Sequence, residues 1–221
     1  AARAATMMTF SRMRSPMLRP RFLPRTDSLR GRCNTPETGL SQSAPMAQLE
    51  LSVRPATGAD LEAINRIHGP EVLHGTATWD TEPWTLDQRR EWFSHHDAMN
   101  PVLVAEHQGE VVGFAYVTLV SQKTGWRFTR EDTIYIDERF RGQGVGDLLL
   151  GALLALLREL GVSLVIASVT STNTASIRLH AKYGFEVMGE MKNAGYKFGQ
   201  WLNTTYMQVD LGEPSPGKPT W

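Results

Sequence analysis

Glu138–Leu157 reads ERFRGQGVGDLLLGALLALL, with Gly142, Gly144 and Gly146 on alternate positions between a basic opening and a leucine-rich run. Side-chain-free backbone just ahead of a helix can aim successive N–H groups at an anion, and the helix dipole adds to the attraction. Spacing narrows which anion. A nucleotide-hydrolysing phosphate loop needs G-x-x-x-x-G-K-[S/T], whose Lys reaches the terminal phosphates. No Lys follows any glycine of this run. A dinucleotide fingerprint needs G-x-G-x-x-G. Counting from Gly142 or Gly144 lands on Asp147 or Leu149 where the third glycine belongs. The pattern that fits is basic-x-x-Gly-x-Gly over Arg141, Gly142, Gln143, Gly144, Val145 and Gly146. Two readings stand for it alone: a phosphate cradle, or a glycine-rich turn that caps a helix.

The elements that must position this run are legible on both sides. Leu49–Arg54 alternates apolar and polar residues and reads as a strand. Thr57-Gly58-Ala59-Asp60 opens a helix with Leu61, Ile64 and Ile67 on one face, which Pro70 ends or kinks. Thr76–Pro83 reads as a loop, and Thr85 caps a second helix to about His96. Val102–His107 and Glu110–Val120 flank Gln108-Gly109 as a hairpin. Thr133–Ile136 is a short β-branched strand into the glycine run, and Gly146–Leu160 is a helix stopped by Gly161. Ser163–Val169, Phe185–Met188 and Thr204–Leu211 read as strands, with a helix over Thr174–Tyr183. Strands outnumber helices, and a hairpin is mixed with crossovers. The fold class is therefore α+β with a mixed sheet.

Composition bounds the partners. Residues 1–45 hold eight arginines against Asp27 and Glu37, so a net +6 there leaves −6 for the remainder of a chain that is neutral by count. A mildly acidic body argues against a nucleic-acid-binding domain, whose affinity comes largely from Lys and Arg on phosphates. No apolar run approaches the roughly 20 residues of a membrane span, so no membrane partner is expected. The single Cys33 excludes an intrachain disulfide and indicates a reducing, cytoplasmic compartment. His95-His96 are neighbours without a metal-ligand partner pattern and are expected to be solvated, with no metal site. Residues 1–47 are expected to be a disordered Arg-rich extension, read either as a targeting segment or as sequence upstream of a start at Met46. The domain is expected over 48–212, and 213–221 form a loose Gly/Pro-rich tail.

A second motif lies about thirty residues past the glycines, in SVTSTNTASIRLHAKYGFEVMGE. It carries Asn173 ahead of a helix, then Leu179-His180 and Lys182-Tyr183-Gly184-Phe185. Together with the Arg141–Gly146 run it resembles the GNAT family of N-acetyltransferases. The segments VRPATGADLEAI, TATWDTEP, VVGFAYV, REDTIYI, TASIRLHAKYGF and AGYKFGQW look like the family's phosphinothricin and methionine sulfoximine acetyltransferase branch, from about Val53 to Leu211.

The resemblance implies a mixed, largely antiparallel central sheet flanked by helices, and an acetyl-CoA-dependent enzyme that acetylates a small amino acid or analogue directly. It assigns the Arg141–Gly146 loop to the coenzyme pyrophosphate. Asn173 falls to the pantetheine arm, Ser176 to the coenzyme side, and the backbone of Ile134, Tyr135 and Ile136 to the pantetheine amide and the thioester carbonyl. Glu131, in the branch's E-x-T-x-Y pattern, becomes the general base. Asp132 next to it points to the opposite face by strand alternation. His180 stands where many relatives have Tyr and becomes a general acid for the coenzyme thiolate or a hydrogen-bonding group near the thioester. On the acceptor side, Lys123 matches one basic position of a carboxylate clamp. Ser121 stands at another, which leaves the clamp weakened or completed by Arg127. Trp79, Trp126 and Phe128 wall the pocket or serve as core aromatics, and the Ala194–Trp201 loop sits near the substrate mouth. Relatives of this kind are commonly homodimers. The rival readings are a protein N-terminal or other small-amine acetyltransferase, and a non-catalytic acyl-CoA sensor. The presence of both Glu131 and His180 argues against the sensor.

Overall fold

A computed structural model describes residues 49–212; the expectations for 1–47 and 213–221 lie outside the described residues. Seven strands form one sheet: β1 (Leu51–Pro55), β2 (Val102–His107), β3 (Glu110–Leu119), β4 (Thr129–Ile136), β5 (Leu164–Thr170), β6 (Glu186–Lys197) and β7 (Gln200–Asp210). Four α-helices accompany them: α1 (Leu61–His74), α2 (Leu86–Ser94), α3 (Val145–Glu159) and α4 (Thr174–Lys182). The spatial order is β1-β2-β3-β4-β5-β7-β6. Neighbours are antiparallel except β4 and β5, which run parallel. The sheet is mixed and largely antiparallel, as expected.

Local sequence explains the joints. Gln108 and Gly109 both take positive φ, 49° and 82°, as the two-residue turn whose twist suits a hairpin requires. Thr85 accepts from the Gln88 N–H, and the Gln88 side chain accepts from the Thr85 N–H, forming the reciprocal cap that starts α2. In α3 a stripe of Leu149, Leu150, Leu153, Leu154 and Leu157 is buried against the sheet. Gly151 lies on the same helix because the Tyr183 hydroxyl passes 2.8 Å from where its Cβ would be, on its way to donate to the Asp147 carbonyl at 2.7 Å. Opposite α3, the inner residues of α1 meet Phe114 and Tyr135 in a second core on the other face of the sheet.

Three expectations need correction. Of the two outcomes expected at Pro70, ending or kinking the helix, the first does not occur: α1 runs on to His74. Proline removes one intrahelical donor, and the added turn buries Val72. Strand β4 begins at Thr129 rather than Thr133, so Glu131 and Asp132 sit within it. The third concerns Ala194–Trp201, expected as a loop. It is the end of a long hairpin, with β6 continuing to Lys197 and turning at Phe198-Gly199. Almost all of β6 is exposed on both faces, so no inside–outside alternation marked it as a strand.

Candidate active site

Strands β4 and β5 hold together at one end only. Thr129–Asp132 pair with Leu164–Ala167, and beyond that the strands part. β4 continues against β3 to Ile136, and β5 continues against β7 to Thr170. A cavity of about 170 Å³ occupies this wedge at the carboxyl ends of the parallel pair. That is smaller than the roughly 300–1,000 Å³ that takes a drug-sized ligand whole. It suits the reacting ends of two substrates. Thr133, Ile134 and Tyr135 line it from β4, Ser168–Thr170 from β5, and Asn173, Ser176 and His180 from α4. Ile136 lies beyond the lining, its carbonyl accepting from the Arg141 Nε at 3.4 Å.

The remaining wall is Ala77-Thr78-Trp79, a segment without regular structure that side chains fix by its carbonyls. Thr170 Oγ1 donates to Thr76 at 2.5 Å, the Tyr135 hydroxyl to Ala77 at 3.3 Å, and Lys197 Nζ to Thr78 at 3.0 Å. Lys197 also caps the end of α1 through the Glu71 carbonyl at 3.1 Å. It is buried, and burial pulls its pKa down. The Trp79 ring lies against Gly195, where a Cβ would come within 2.4 Å of it. The hairpin that looked like a mouth loop therefore fixes the wall of the cleft.

Glu131 and Asp132 both reach the cavity lining, from opposite faces of β4. Burial raises the Glu131 pKa, and the Asp132 charge adds to the rise. Asp132 is buried and faces α4, where its Oδ2 lies 3.0 Å from His180 Nε2. His180 Nδ1 lies 2.8 Å from the Ser176 carbonyl and 3.3 Å from the Ser176 hydroxyl. Burial alone would lower the His180 pKa, but the hydrogen bond and charge of Asp132 outweigh it and the net direction is upward. Sequence reasoning set Asp132 aside because alternation puts it on the face opposite Glu131. The only available signal, alternation, could not bring positions 132 and 180 together.

Sequence reasoning also missed a buried polar knot behind the cavity. Arg89 stacks between Trp84 and Trp92, with its guanidinium carbon 4.3 and 4.6 Å from the ring centres. It donates to Asn65 Oδ1 at 2.8 Å, and its Nη2 lies 3.1 Å from His68 Nδ1. That nitrogen must then be the acceptor, which leaves the proton on Nε2, 3.6 Å from Asp80. Burial and then the Arg89 charge push the His68 pKa down to about 4. The His68 ring meets Tyr135 edge-on at 4.9 Å, which props the cleft from behind. His96, expected to be solvated, is half-buried with its ring 4.4 Å from Trp92; His95 is exposed. Among the described residues no three His, Cys, Asp or Glu side chains cluster as metal ligands, and no helix is long and apolar enough to cross a membrane.

The glycine run forms the mouth of α3. Gly142 and Gly144 take φ 72° and 88°, the left-handed region, with open space where a Cβ would point. Gly146 is helical, and its reason is packing: a Cβ would lie 2.8 Å from Ile136 Cδ1 and 3.1 Å from Leu179 Cδ2. The first α3 hydrogen bond runs from Leu148 N–H to the Gly144 carbonyl, so Val145, Gly146 and Asp147 direct their N–H groups out of the helix start. The Arg141 guanidinium is ion-paired with Glu71, and Gln143 donates to the Arg139 carbonyl at 2.8 Å. Asn173 caps α4, its Oδ1 accepting from the Ser176 N–H at 3.1 Å.

The four expected acceptor-side residues divide. Trp79 lines the cavity, joined by Tyr116, which sequence reasoning did not single out. Lys123, Trp126 and Phe128 lie on the β3–β4 connection and do not line it. Lys123 and Trp126 are exposed, and Phe128 is half-buried beneath the Arg127 guanidinium at 4.5 Å.

Comparison with known proteins agrees with this geometry. Residues 62–185 match the model for the acetyltransferase (GNAT) family. The chain is 37% identical over 164 residues to the L-methionine sulfoximine/L-methionine sulfone acetyltransferase of Salmonella typhimurium, covering 74% of this chain and 96% of that protein. It is 38% identical over 180 residues to the phosphinothricin N-acetyltransferase of Alcaligenes faecalis, covering 80% and 91%. A crystal structure of a phosphinothricin acetyltransferase from Sinorhizobium meliloti in complex with AcCoA superposes with a TM-score of 0.73 at 38% identity, over 77% of this chain and 93% of that one. The glycine mouth, the parted strands and the matched span agree: the chain belongs to the GNAT acetyltransferase family.

Proposed function

We propose that the chain moves the acetyl group of acetyl-CoA to the α-amino group of a small amino acid or analogue of the phosphinothricin or methionine sulfoximine kind. The observation that carries this reading is the β4–β5 wedge, with Glu131 and His180 on its lining and the glycine mouth of α3 beside it. The residues fit the coenzyme. The N–H groups at the start of α3, kept accessible by two left-handed glycines, suit a diphosphate, and the parted edge of β4 suits an extended amide chain. Acetyl-CoA supplies the thioester. Glu131 removes a proton from the acceptor ammonium, the amine attacks the carbonyl without an acyl-enzyme, and the His180 side of the cleft returns a proton to sulfur. Asn173 and Ser176 bound the coenzyme side.

On the acceptor side Trp79 and Tyr116 frame the cavity, and Lys123, Trp126 and Phe128 contribute only if the β3–β4 connection closes over it. The small cavity and the fixed Trp79 wall favour a free amino acid over a protein N-terminus. Incubation with acetyl-CoA and a panel of amino acids, sulfoximine and phosphinate analogues and short peptides is expected to release thiol with the analogues and not with peptides. Turnover on peptides alone would replace the acceptor class. Tight coenzyme binding with no turnover on any amine would support the acyl-CoA sensor instead.

The exposed apolar side chains Val187, Met188, Met191, Tyr196, Phe198 and Trp201 of the β6–β7 hairpin support a homodimer. Sedimentation at micromolar concentration is expected to give twice the chain mass, and a monomer there would remove the proposal. The single cysteine supports a reducing, cytoplasmic location.

A further inference from the structure

Asp132 and His180 are joined by a bond whose protonation the surrounding atoms dictate. A carbonyl oxygen carries only lone pairs, so His180 Nδ1, 2.8 Å from the Ser176 carbonyl, must carry a hydrogen. Were the imidazole neutral, its remaining lone pair would sit on Nε2, facing the Asp132 carboxylate oxygen at 3.0 Å. Two lone pairs at that distance repel, so a proton occupies the bond. The other carboxylate oxygen, Asp132 Oδ1, is buried without a hydrogen-bond partner among the described residues. Among the described residues, His180 is the group paired with the Asp132 charge. Both side chains are almost fully enclosed, at 1% and 5% exposure. An unpaired carboxylate there would be strongly disfavoured.

We infer that Asp132 and His180 together hold one proton as a neutral pair, which serves as the proton reserve for the sulfur leaving group, with Asp132 the positioning residue that keeps His180 protonated. The inference rests on the acetyl-transfer reading for the destination of the proton, but not for its presence. When the amine nitrogen forms its bond to the carbonyl carbon, the C–S bond breaks and its electron pair stays on sulfur. The proton moves from the pair to sulfur, leaving the pair one negative charge. The pair is then reprotonated by one of the two protons that the acceptor ammonium gives up on becoming an amide, and the other leaves to solvent. Against the burial that would release it, the Asp132 hydrogen bond and charge hold the His180 proton above the ordinary imidazole value, which narrows the gap to the thiolate, of pKa about 8.5, that receives it. One other titratable group is coupled to the pair: Glu131, on the same cavity lining, whose pKa the Asp132 charge helps to raise. Ser176 approaches from α4, Phe185 lies edge-on at 4.9 Å, and Ala167–Thr170 of β5 line the cavity without a titratable group. Alternation keeps the Glu131 side chain from bonding to the pair, and its charge opposes that of Asp132 without neutralising it.

The test begins without turnover. In the full chain labelled with ¹⁵N-histidine, with His180→Gln identifying its resonances, both His180 nitrogens are expected to be of protonated type from about pH 6 to about pH 8. A lone-pair nitrogen from His180 across that range would overturn the inference. The reading is taken on the unaltered pair, the His180→Gln spectrum serving only for assignment, and it holds whether or not the chain acetylates anything. In Asp132→Asn the amide can donate to Nε2, so the bond survives while its proton no longer belongs to the histidine. One lone-pair nitrogen is expected there. The high-pH limb of kcat should move toward acid, with about tenfold or greater loss at about pH 8 relative to about pH 6. Acetyl-CoA affinity should change little. A variant slowed equally at every pH would make Asp132 a packing residue and overturn its positioning role.

Discussion

Glu131→Gln is expected to lower kcat by about 10²–10⁴, the usual contribution of a positioned general base. Acetyl-CoA affinity should stay nearly unchanged, because Glu131 lines the wedge and is not part of the glycine mouth. The substitution keeps the shape and removes the basic oxygen. Steady-state kinetics paired with coenzyme binding by calorimetry separates the two, and unaltered turnover would remove Glu131 as the base. Stability provides a control with a definite sign. The Glu131 pKa is raised in the folded state, so the native chain binds the extra proton between the unfolded and folded values. Any stability gained from that proton is present at low pH and lost as pH rises through the folded pKa. Ionised Glu131 therefore burdens the fold at neutral pH, and the glutamine variant should melt no lower than the parent. Lost activity with retained melting temperature marks a functional group; loss of both would mark a structural one.

The same reasoning predicts the acid side of the pH–rate profile. A base must be ionised, so rate should rise with pH through the raised Glu131 value and then fall where the Asp132–His180 pair loses its proton. On the proposed mechanism, two adjacent residues of one strand serve opposite ends of the reaction. Alternation separates their side chains, and the parting of β4 from β5 gives both access to the same cavity.

What could be read in the sequence follows from the range of each signal. The β2–β3 hairpin, the cap at Thr85 and the leucine stripe of α3 are local patterns, and all three appear where their residues stand. The glycine mouth is local as well, although its three glycines act differently: two relax the backbone and one makes room for Ile136 and Leu179. Glu131 and His180 were reached only through family likeness. Alternation placed Asp132 on the face away from Glu131, and its role was not legible because its partner is 48 positions away on a helix that only the assembled fold brings near. Arg89 and His68 escaped notice for the same reason; a buried arginine reads as a solvated face until two tryptophans close over it. Lys197 ties the hairpin to the cleft wall through backbone carbonyls, which have no sequence signature.

Gly144→Val, set against Gly109→Val, distinguishes the two readings left open for the glycine run. Both positions hold a positive φ, 88° and 82°, and both leave open space where a Cβ would point, so neither substitution makes a clash. The cost in each case is the left-handed backbone itself, roughly 1–2 kcal/mol for an L-residue and more for a β-branched one. Both variants should lose comparable stability in denaturant. They should differ in coenzyme binding. At Gly109 the strain falls in the β2–β3 turn and acetyl-CoA affinity should hold. At Gly144 relief of the strain rotates the peptide planes that aim the first N–H groups of α3, and the dissociation constant should rise about tenfold or more, the factor carried by ~1.4 kcal/mol. The kcat at saturating coenzyme should move less, since Glu131, Asp132 and His180 stand on other elements. Equal affinities in the two variants would reduce the run to a helix-capping turn. A selective loss at Gly144 would mean that the bare backbone is aimed at phosphate.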